Sequence, residues 1–114
     1  MEREALRQRY ERELERVVAC LRASYEPERI VLFGSCARGD FTRDSDIDLL
    51  ILKKTDQRHL DRMREVYRLV YSPEQYLALD ALVLTPEEWA RKLSMNDFFA
   101  QEIAREGKIL YERG

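Results

Sequence analysis

One segment, Asp46-Ile47-Asp48-Leu49-Leu50-Ile51-Leu52, restricts the possible folds more than any other. Its residues alternate as a β-strand does: Asp46, Asp48, Leu50 and Leu52 face one way, and Ile47, Leu49 and Ile51 the other. Lys53 and Lys54 close it. The two carboxylates therefore share a face, about 6.6 Å apart at two residue rises. Like charges at that spacing repel by about 2.5 kcal/mol at an effective dielectric of about 20. Folding tolerates such a pair more easily with a cation between the two groups.

The flanking sequence supplies further elements. Glu2 to about Tyr25 reads as one long helix, because Leu6, Tyr10, Leu14, Val17, Leu21 and Tyr25 recur at spacings of three and four; Pro27 ends it. Ile30 to Phe33 is an apolar run of strand length halted by Gly34, and residues 34–44 are small and polar, with Gly39 as a second breaker. Asp56 to about Tyr71 reads as a second helix with Leu60, Met63, Tyr67 and Val70 on its inner face. Leu77 to Leu84 reads as a third strand in which Ala78, Asp80, Leu82 and Leu84 share a face. Thr85-Pro86-Glu87-Glu88 then carries a hydroxyl cap, a proline in the first turn and a capping-box glutamate, so Trp89 and Leu93 pack inward from another helix. Asp97 to Glu106 is a further helix that Gly107 terminates, and Ile109 to Tyr111 forms a short closing strand. A chain of 114 residues with no repeat or linker makes a single domain, with residues 1–25 as an N-terminal helix and 29–112 as its core.

Composition excludes several classes. A net charge of -2 gives no basic field, so nucleic-acid binding is unsupported. Cys20 and Cys36 make no disulfide framework, and His59 alone anchors no zinc site of the usual kind. No apolar run approaches the roughly 20 residues of a membrane span, and the charged N-terminus has no apolar signal core, so the cytoplasm is the expected location.

Asp80 extends the acidic pair. It lies among Leu79, Ala81 and Leu82, where a carboxylate has no structural purpose. If its strand neighbours that of Asp46 and Asp48, three carboxylates meet at one edge of a small sheet. Hard divalent cations take oxygen ligands, and Mg²⁺ uses one or two carboxylates together with substrate phosphates and water. Three aspartates suffice for a two-metal arrangement. Gly34 and Ser35 supply a complement: glycine lets backbone amides approach a phosphate without a Cβ in the way, and Ser35 adds a hydroxyl donor at the start of a short helix. Ser35 as a plain helix cap is the simpler alternative. Arg38 either reaches phosphate oxygens or pairs with Asp40 or Asp44.

Gly34-Ser35-Cys36-Ala37-Arg38-Gly39, followed by Asp46-Ile47-Asp48 with ten residues between Ser35 and Asp46, resembles the signature of the DNA polymerase beta-like nucleotidyltransferase superfamily. The segment from Leu79 to Glu88 is similar to the third-carboxylate strand of its small prokaryotic branch, the minimal nucleotidyltransferases. The resemblance runs from about Arg29 to Glu112. It implies an α/β (α+β) fold, a small mixed sheet backed by helices, with Mg²⁺, two ions in the usual scheme, on Asp46, Asp48 and Asp80. Gly34, Ser35, Arg38 and Ser45 are then the nucleotide-binding residues, and Asp80 lies closest to the acceptor and helps deprotonate it. It further implies ATP as donor, AMP transfer to a hydroxyl, and a HEPN-domain partner, often a ribonuclease toxin, whose tyrosine receives AMP while this chain acts as antitoxin. The chain lacks the substrate-binding domain of larger relatives, so the acceptor comes from a partner or a free small molecule.

Other readings compete. A calcium loop starting at Asp44 needs glycine sixth and glutamate twelfth and finds Leu49 and Thr55; a Walker loop needs a lysine followed by Ser or Thr after Gly39. Both fail. An antitoxin acting by docking alone, transfer to a small molecule such as an aminoglycoside, and a homodimer stay open. Cys36 is a small filler, Arg43 solvated, and His59 exposed. Trp89, Phe98, Phe99 and the six tyrosines (10, 25, 67, 71, 76 and 111) are expected mainly in packing, an exposed tyrosine being a candidate for self-modification.

Overall fold

The computed structural model describes residues 2–74 and 77–113. The elements run α1 (Glu2–Ser24), β1 (Arg29–Phe33), α2 (Ser35–Arg38), β2 (Ile47–Leu52), α3 (His59–Val70), β3 (Leu79–Leu84), α4 (Pro86–Ser94), α5 (Phe98–Glu106) and β4 (Lys108–Glu112). The four strands form one mixed sheet in the order β3-β2-β1-β4. β2 runs antiparallel to β1 and parallel to β3, with α3 as the crossover between the parallel pair, and β4 closes the far edge antiparallel to β1. The expected small mixed sheet backed by helices is the one observed.

Alternation along the strands divides the core into two layers. Ile30, Leu32, Ile47, Leu49, Ile51, Ala81 and Val83 pack beneath α1 and α3, against Tyr10, Val17, Leu21, Val66 and Val70. Val31, Leu50, Leu52 and Leu84 face the other way, under Ile103 of α5 and Trp89 of α4. The α1 stripe is as the spacing requires, with Tyr10, Val17, Leu21 and Tyr25 buried and Leu6 and Leu14 packed at its margin. Thr85 and Glu88 form the expected reciprocal capping box at the start of α4, which places Trp89 against the sheet.

Three expectations fail. α3 begins at His59, not Asp56, and its inner face is Arg62, Val66 and Val70, while Leu60 is 63% exposed. Arg62 goes inward because partners await its guanidinium: it donates to the carbonyls of Gln57 and Val83 and pairs with Glu88 at 2.7 Å. Phe98 and Phe99 are not core. α5 turns Ala100 and Ile103 to the sheet, leaving both aromatic rings at the surface. Tyr71 is likewise exposed, whereas Tyr10 and Tyr25 are buried and Tyr67 and Tyr111 packed at the margin; Tyr76 lies outside the described residues. Among the described residues no helix is long and apolar enough to cross a membrane.

Candidate active site

β2 is the second strand from the edge and almost wholly buried, yet Asp48 interrupts it. Parallel pairing sets Asp48 directly beside Asp80 on β3, and antiparallel pairing sets Phe33 of β1 on its other side. Neighbouring strands lie about 4.8 Å apart, less than the two-residue step from Asp46 to Asp48, so Asp80 is the nearer acidic neighbour through the backbone. By alternation Asp48 and Asp80 lie on the face of the sheet that α4 and α5 cover at Leu50, Leu52, Leu82 and Leu84, beyond the end of that apolar cover. Asp46, just ahead of the strand, and Asp80, on the edge strand, are exposed, while Asp48 is half-buried.

Burial raises the Asp48 carboxyl above its ordinary value, and the negative charges of Asp80 and then Asp46 push it further up, against a smaller pull from Arg38. The charges of Asp80 and Asp46 therefore act on Asp48 more strongly than that of Arg38 does. Among the described residues no group of three or more His, Cys, Asp or Glu side chains is placed to hold a metal ion, so Asp46, Asp48 and Asp80 do not by themselves form a metal site. An all-oxygen set with two open members suits a hard divalent cation that draws its other ligands from phosphate and water. Asp48 and Asp80, paired in register, are oxygen donors of the type such an ion takes.

Gly34 fits against this cluster. It follows β1 and is the N-cap of α2, with φ 75 and ψ -158, a backbone conformation reserved for glycine. A Cβ on it would lie 2.2 Å from Oδ2 of Asp48. The glycine-serine turn and the acidic strand are thus in direct contact, as their spacing suggested. The carbonyl of Gly34 accepts from the amides of Ala37 and Arg38, both at 3.1 Å. Ser35 is the first residue of α2, and Gly34, not Ser35, is the cap. Gly39 closes this short turn in the left-handed region, donating its N–H to the Ser35 carbonyl.

Arg38 pairs with Asp40 at 3.3 Å and, in an unexpected contact, with Glu106 of α5 at 3.6 Å. Between these elements lies a cleft of about 140 Å³, with Phe33, Gly34 and Arg38 on one side and Phe99, Glu102, Ile103 and Glu106 on the other. Phe33 and Phe99 meet edge to face across it, centroids 5.5 Å apart. Sequence reasoning missed α5 as a wall of this site, since nothing local links residue 99 to residue 33.

The loop into β2 is held from a distance. The hydroxyl of Tyr10 on α1 reaches the carbonyls of Thr42 and Ser45, and Arg3 reaches those of Gly39 and Phe41, stacking on the Phe41 ring. The Ser45 hydroxyl accepts from the Thr42 amide at 2.8 Å, so one of its bonds serves the turn. Cys36 donates its thiol to the Asp46 carbonyl at 3.5 Å, and burial, with Asp48 nearby, pushes that thiol up to about 11. Such a thiol is unreactive at neutral pH, in keeping with its reading as a filler. His59 is exposed, its Nε2 3.8 Å from Glu88.

Known proteins are similar to this chain. The family model described as "Nucleotidyltransferase domain" matches residues 14–110. A protein of Methanocaldococcus jannaschii named "Putative protein adenylyltransferase" is 31% identical over 103 residues, 89% of this chain and 97% of that protein. A second protein of that organism, with the same name, is 32% identical over 52% of this chain and 56% of its own length. A nucleotidyltransferase from Sulfolobus solfataricus, so named provisionally, matches in structure with a TM-score of 0.57 over 97% of this chain and 84% of its own, at 24% identity. A chain from a toxin-antitoxin structure solved with AMP-PNP gives a TM-score of 0.63 at 24% identity, over 87% of this chain and 73% of that one. Those two likenesses speak to the fold alone. The family match and the first relative, which cover nearly the whole length, decide the matter: this chain belongs to the nucleotidyltransferase domain family and is a nucleotidyltransferase.

Proposed function

We propose that the enzyme moves AMP from ATP to a hydroxyl of a second protein, a tyrosine of a HEPN-domain toxin, and so acts as the cytoplasmic antitoxin of that pair. The observation that carries this reading is the contact of Gly34 with Asp48, itself in register with Asp80. It sets the glycine-serine turn directly against the acidic strand. The name of the M. jannaschii relatives supports a protein acceptor, and the toxin-antitoxin neighbour with AMP-PNP supports an adenine nucleotide and a toxin partner. The HEPN class, the tyrosine and the use of two magnesium ions rest on the resemblance to minimal nucleotidyltransferases.

In this scheme Asp46, Asp48 and Asp80 hold the magnesium. When bound, magnesium neutralises the triphosphate and makes the acceptor hydroxyl more acidic. Gly34 and Ser35, at the start of α2 and against Asp48, take the triphosphate. Arg38, on the surface, exchanges its contacts with Asp40 and Glu106 for phosphate oxygens. Ser45 contributes by fixing the turn that aims Asp46. Asp80, open on the edge strand, faces the acceptor and takes its proton. The acceptor oxygen bonds to the α-phosphorus, the bond from that phosphorus to the bridging oxygen breaks, and pyrophosphate leaves.

The test is transfer of label from α-labelled ATP, with magnesium, to the co-expressed product of the neighbouring gene. The wild type adds about one AMP mass to that protein, and Asp46→Asn with Asp48→Asn abolishes the gain while complex formation persists. Unchanged neutralisation of toxicity by this double variant would move the function from catalysis to docking. Unchanged transfer would remove the carboxylates from the chemistry.

A further inference from the structure

Glu106 stands where its own helix gives it no support. It is the last residue of α5, at the negative end of the helix dipole. Glu102, one turn before it, puts a like charge on the same wall of the cleft. Arg105 lies 3.4 Å away, but it is largely solvated and offsets little. The cation that meets Glu106 from another element is Arg38, at 3.6 Å across the cleft beside Gly34. Glu106 is 29% exposed there, against 64% for Asp40, the other partner of Arg38, so solvent screens the Glu106 contact less.

The two sides of this contact differ in freedom. The end of α5 is pressed onto the sheet: Gly107 donates its amide to the Ile103 carbonyl at 2.7 Å, and a Cβ on it would come within 2.7 Å of Cγ1 of Val31. Glu106 therefore stays in place. Arg38 closes the four-residue α2 on a long, half-exposed side chain and is the member that moves. A phosphate at the glycine-serine turn thus meets a fixed carboxylate and a mobile guanidinium, and the two anions compete for one set of N–H donors. We propose that Glu106 is a positioning residue for nucleotidyl transfer: it competes with phosphate oxygens for Arg38, loosens the hold on the triphosphate, and takes the guanidinium back as pyrophosphate leaves. This role rests on the proposed contact of Arg38 with the triphosphate and is independent of the acceptor.

The test measures binding of α,β-methylene-ATP, whose scissile bridge does not break, and of pyrophosphate, each with magnesium, by calorimetry on the whole chain. Wild type is compared with Glu106→Gln, Glu102→Gln, Arg38→Gln and the double variant Arg38→Gln with Glu106→Gln. Glu106→Gln keeps the backbone contacts that end α5, so its melting temperature should stay near that of the wild type. Competition for Arg38 predicts that Glu106→Gln binds both ligands about two- to fivefold more tightly, the range a half-exposed ion pair supports. Damage to the fold would weaken binding instead. The gain should vanish in the Arg38→Gln background, and Glu102→Gln, which removes an equal charge from the same wall without touching Arg38, should gain less. Unchanged or weaker binding by Glu106→Gln, the same gain without Arg38, or an equal gain from Glu102→Gln overturns the proposal. Failure of the underlying reading looks different: Arg38→Gln alone then binds the triphosphate analogue as tightly as wild type, and the proposal falls with it.

Discussion

Gly34→Ala is the sharpest perturbation of the site. Two costs act together at this position. The backbone sits at φ 75 and ψ -158, where a residue with a Cβ is strained by about 1–3 kcal/mol. The new Cβ would also lie 2.2 Å from the Asp48 carboxylate oxygen, so that side chain must swing away. For a domain of this size each kcal/mol moves the melting temperature by about 3–6 °C, and the variant should melt roughly 5–15 °C below wild type. Transfer should fall further than stability, because displacing a catalytic group by about 1 Å can cost about a hundredfold in rate. The assay is a cycle of four proteins: wild type, Gly34→Ala, Asp48→Ala and the double variant, melted and assayed side by side. Removing the Asp48 side chain relieves the clash but not the backbone strain, so Gly34→Ala should cost about 1 kcal/mol less in the Asp48→Ala background. A Gly34→Ala protein that melts within a degree or so of wild type, or a cycle with no coupling, refutes the reasoning.

Other residues give separate tests. The Asp48 carboxyl is raised in the folded state, first by burial and then by Asp80 and Asp46, so the native protein holds its proton more tightly and loses stability as the pH climbs past the usual 3.8. Asp48→Asn should therefore melt higher than wild type near neutral pH, with the gap closing in acid, although it transfers no AMP. Glu88 has the opposite sign: Arg62 holds its carboxyl down at about 2 from an ordinary 4.5, so its contribution is present above 4.5 and is lost as the pH falls towards 2. Glu88→Ala should cost about 2–4 kcal/mol by denaturant titration, since it strands the guanidinium of the buried Arg62 and removes half of the capping box. Tyr10→Phe, which keeps the ring but frees the carbonyls of Thr42 and Ser45, should lower stability by about 1–2 kcal/mol. It should also slow transfer several-fold by loosening the loop that leads to Asp46; a rate equal to wild type would show that α1 does not hold that loop for the chemistry.

Local pattern made much of this legible. The stripe on α1, the alternation of β2 and the Thr85 capping box are consequences of three- or two-residue periods and short side-chain reach, and each is found where the residues put it. Acidic residues at strand positions, with a glycine-serine turn at fixed spacing, marked out the candidate site. What stayed hidden depends on partners far away in sequence. Arg62 goes inward because Glu88, 26 residues on, and the Val83 carbonyl satisfy it; a hydrophobic count sees only a charge and rotates the helix towards Leu60. Phe98 and Phe99 look like core residues until the short turn after Asn96 sets the rotation of α5 so that Ala100 and Ile103 meet the sheet. Neither Tyr10 nor Arg3 announces that it will hold the loop from Gly39 to Ser45, 32 or more residues away.

Strand direction is the step that turns these parts into a site. Had β3 paired with β2 antiparallel, the Asp80 end would have lain beside Leu52, and the acidic side chains would have sat at opposite ends of the sheet. The crossover through α3 makes the pair parallel and sets residues 48 and 80 side by side. Leu50 and Leu82, and Leu52 and Leu84, pair in the same register and go under α4 and α5. One register therefore builds the core and the charge cluster. A slip of one residue would turn the leucines out of their layer and Asp80 into the opposite one, so the apolar packing that stabilises β3 also enforces the costly meeting of carboxylates. Repulsion at Asp48 is maintained by burial elsewhere, which is the reason that stability should rise, and catalysis disappear, when that one charge is removed.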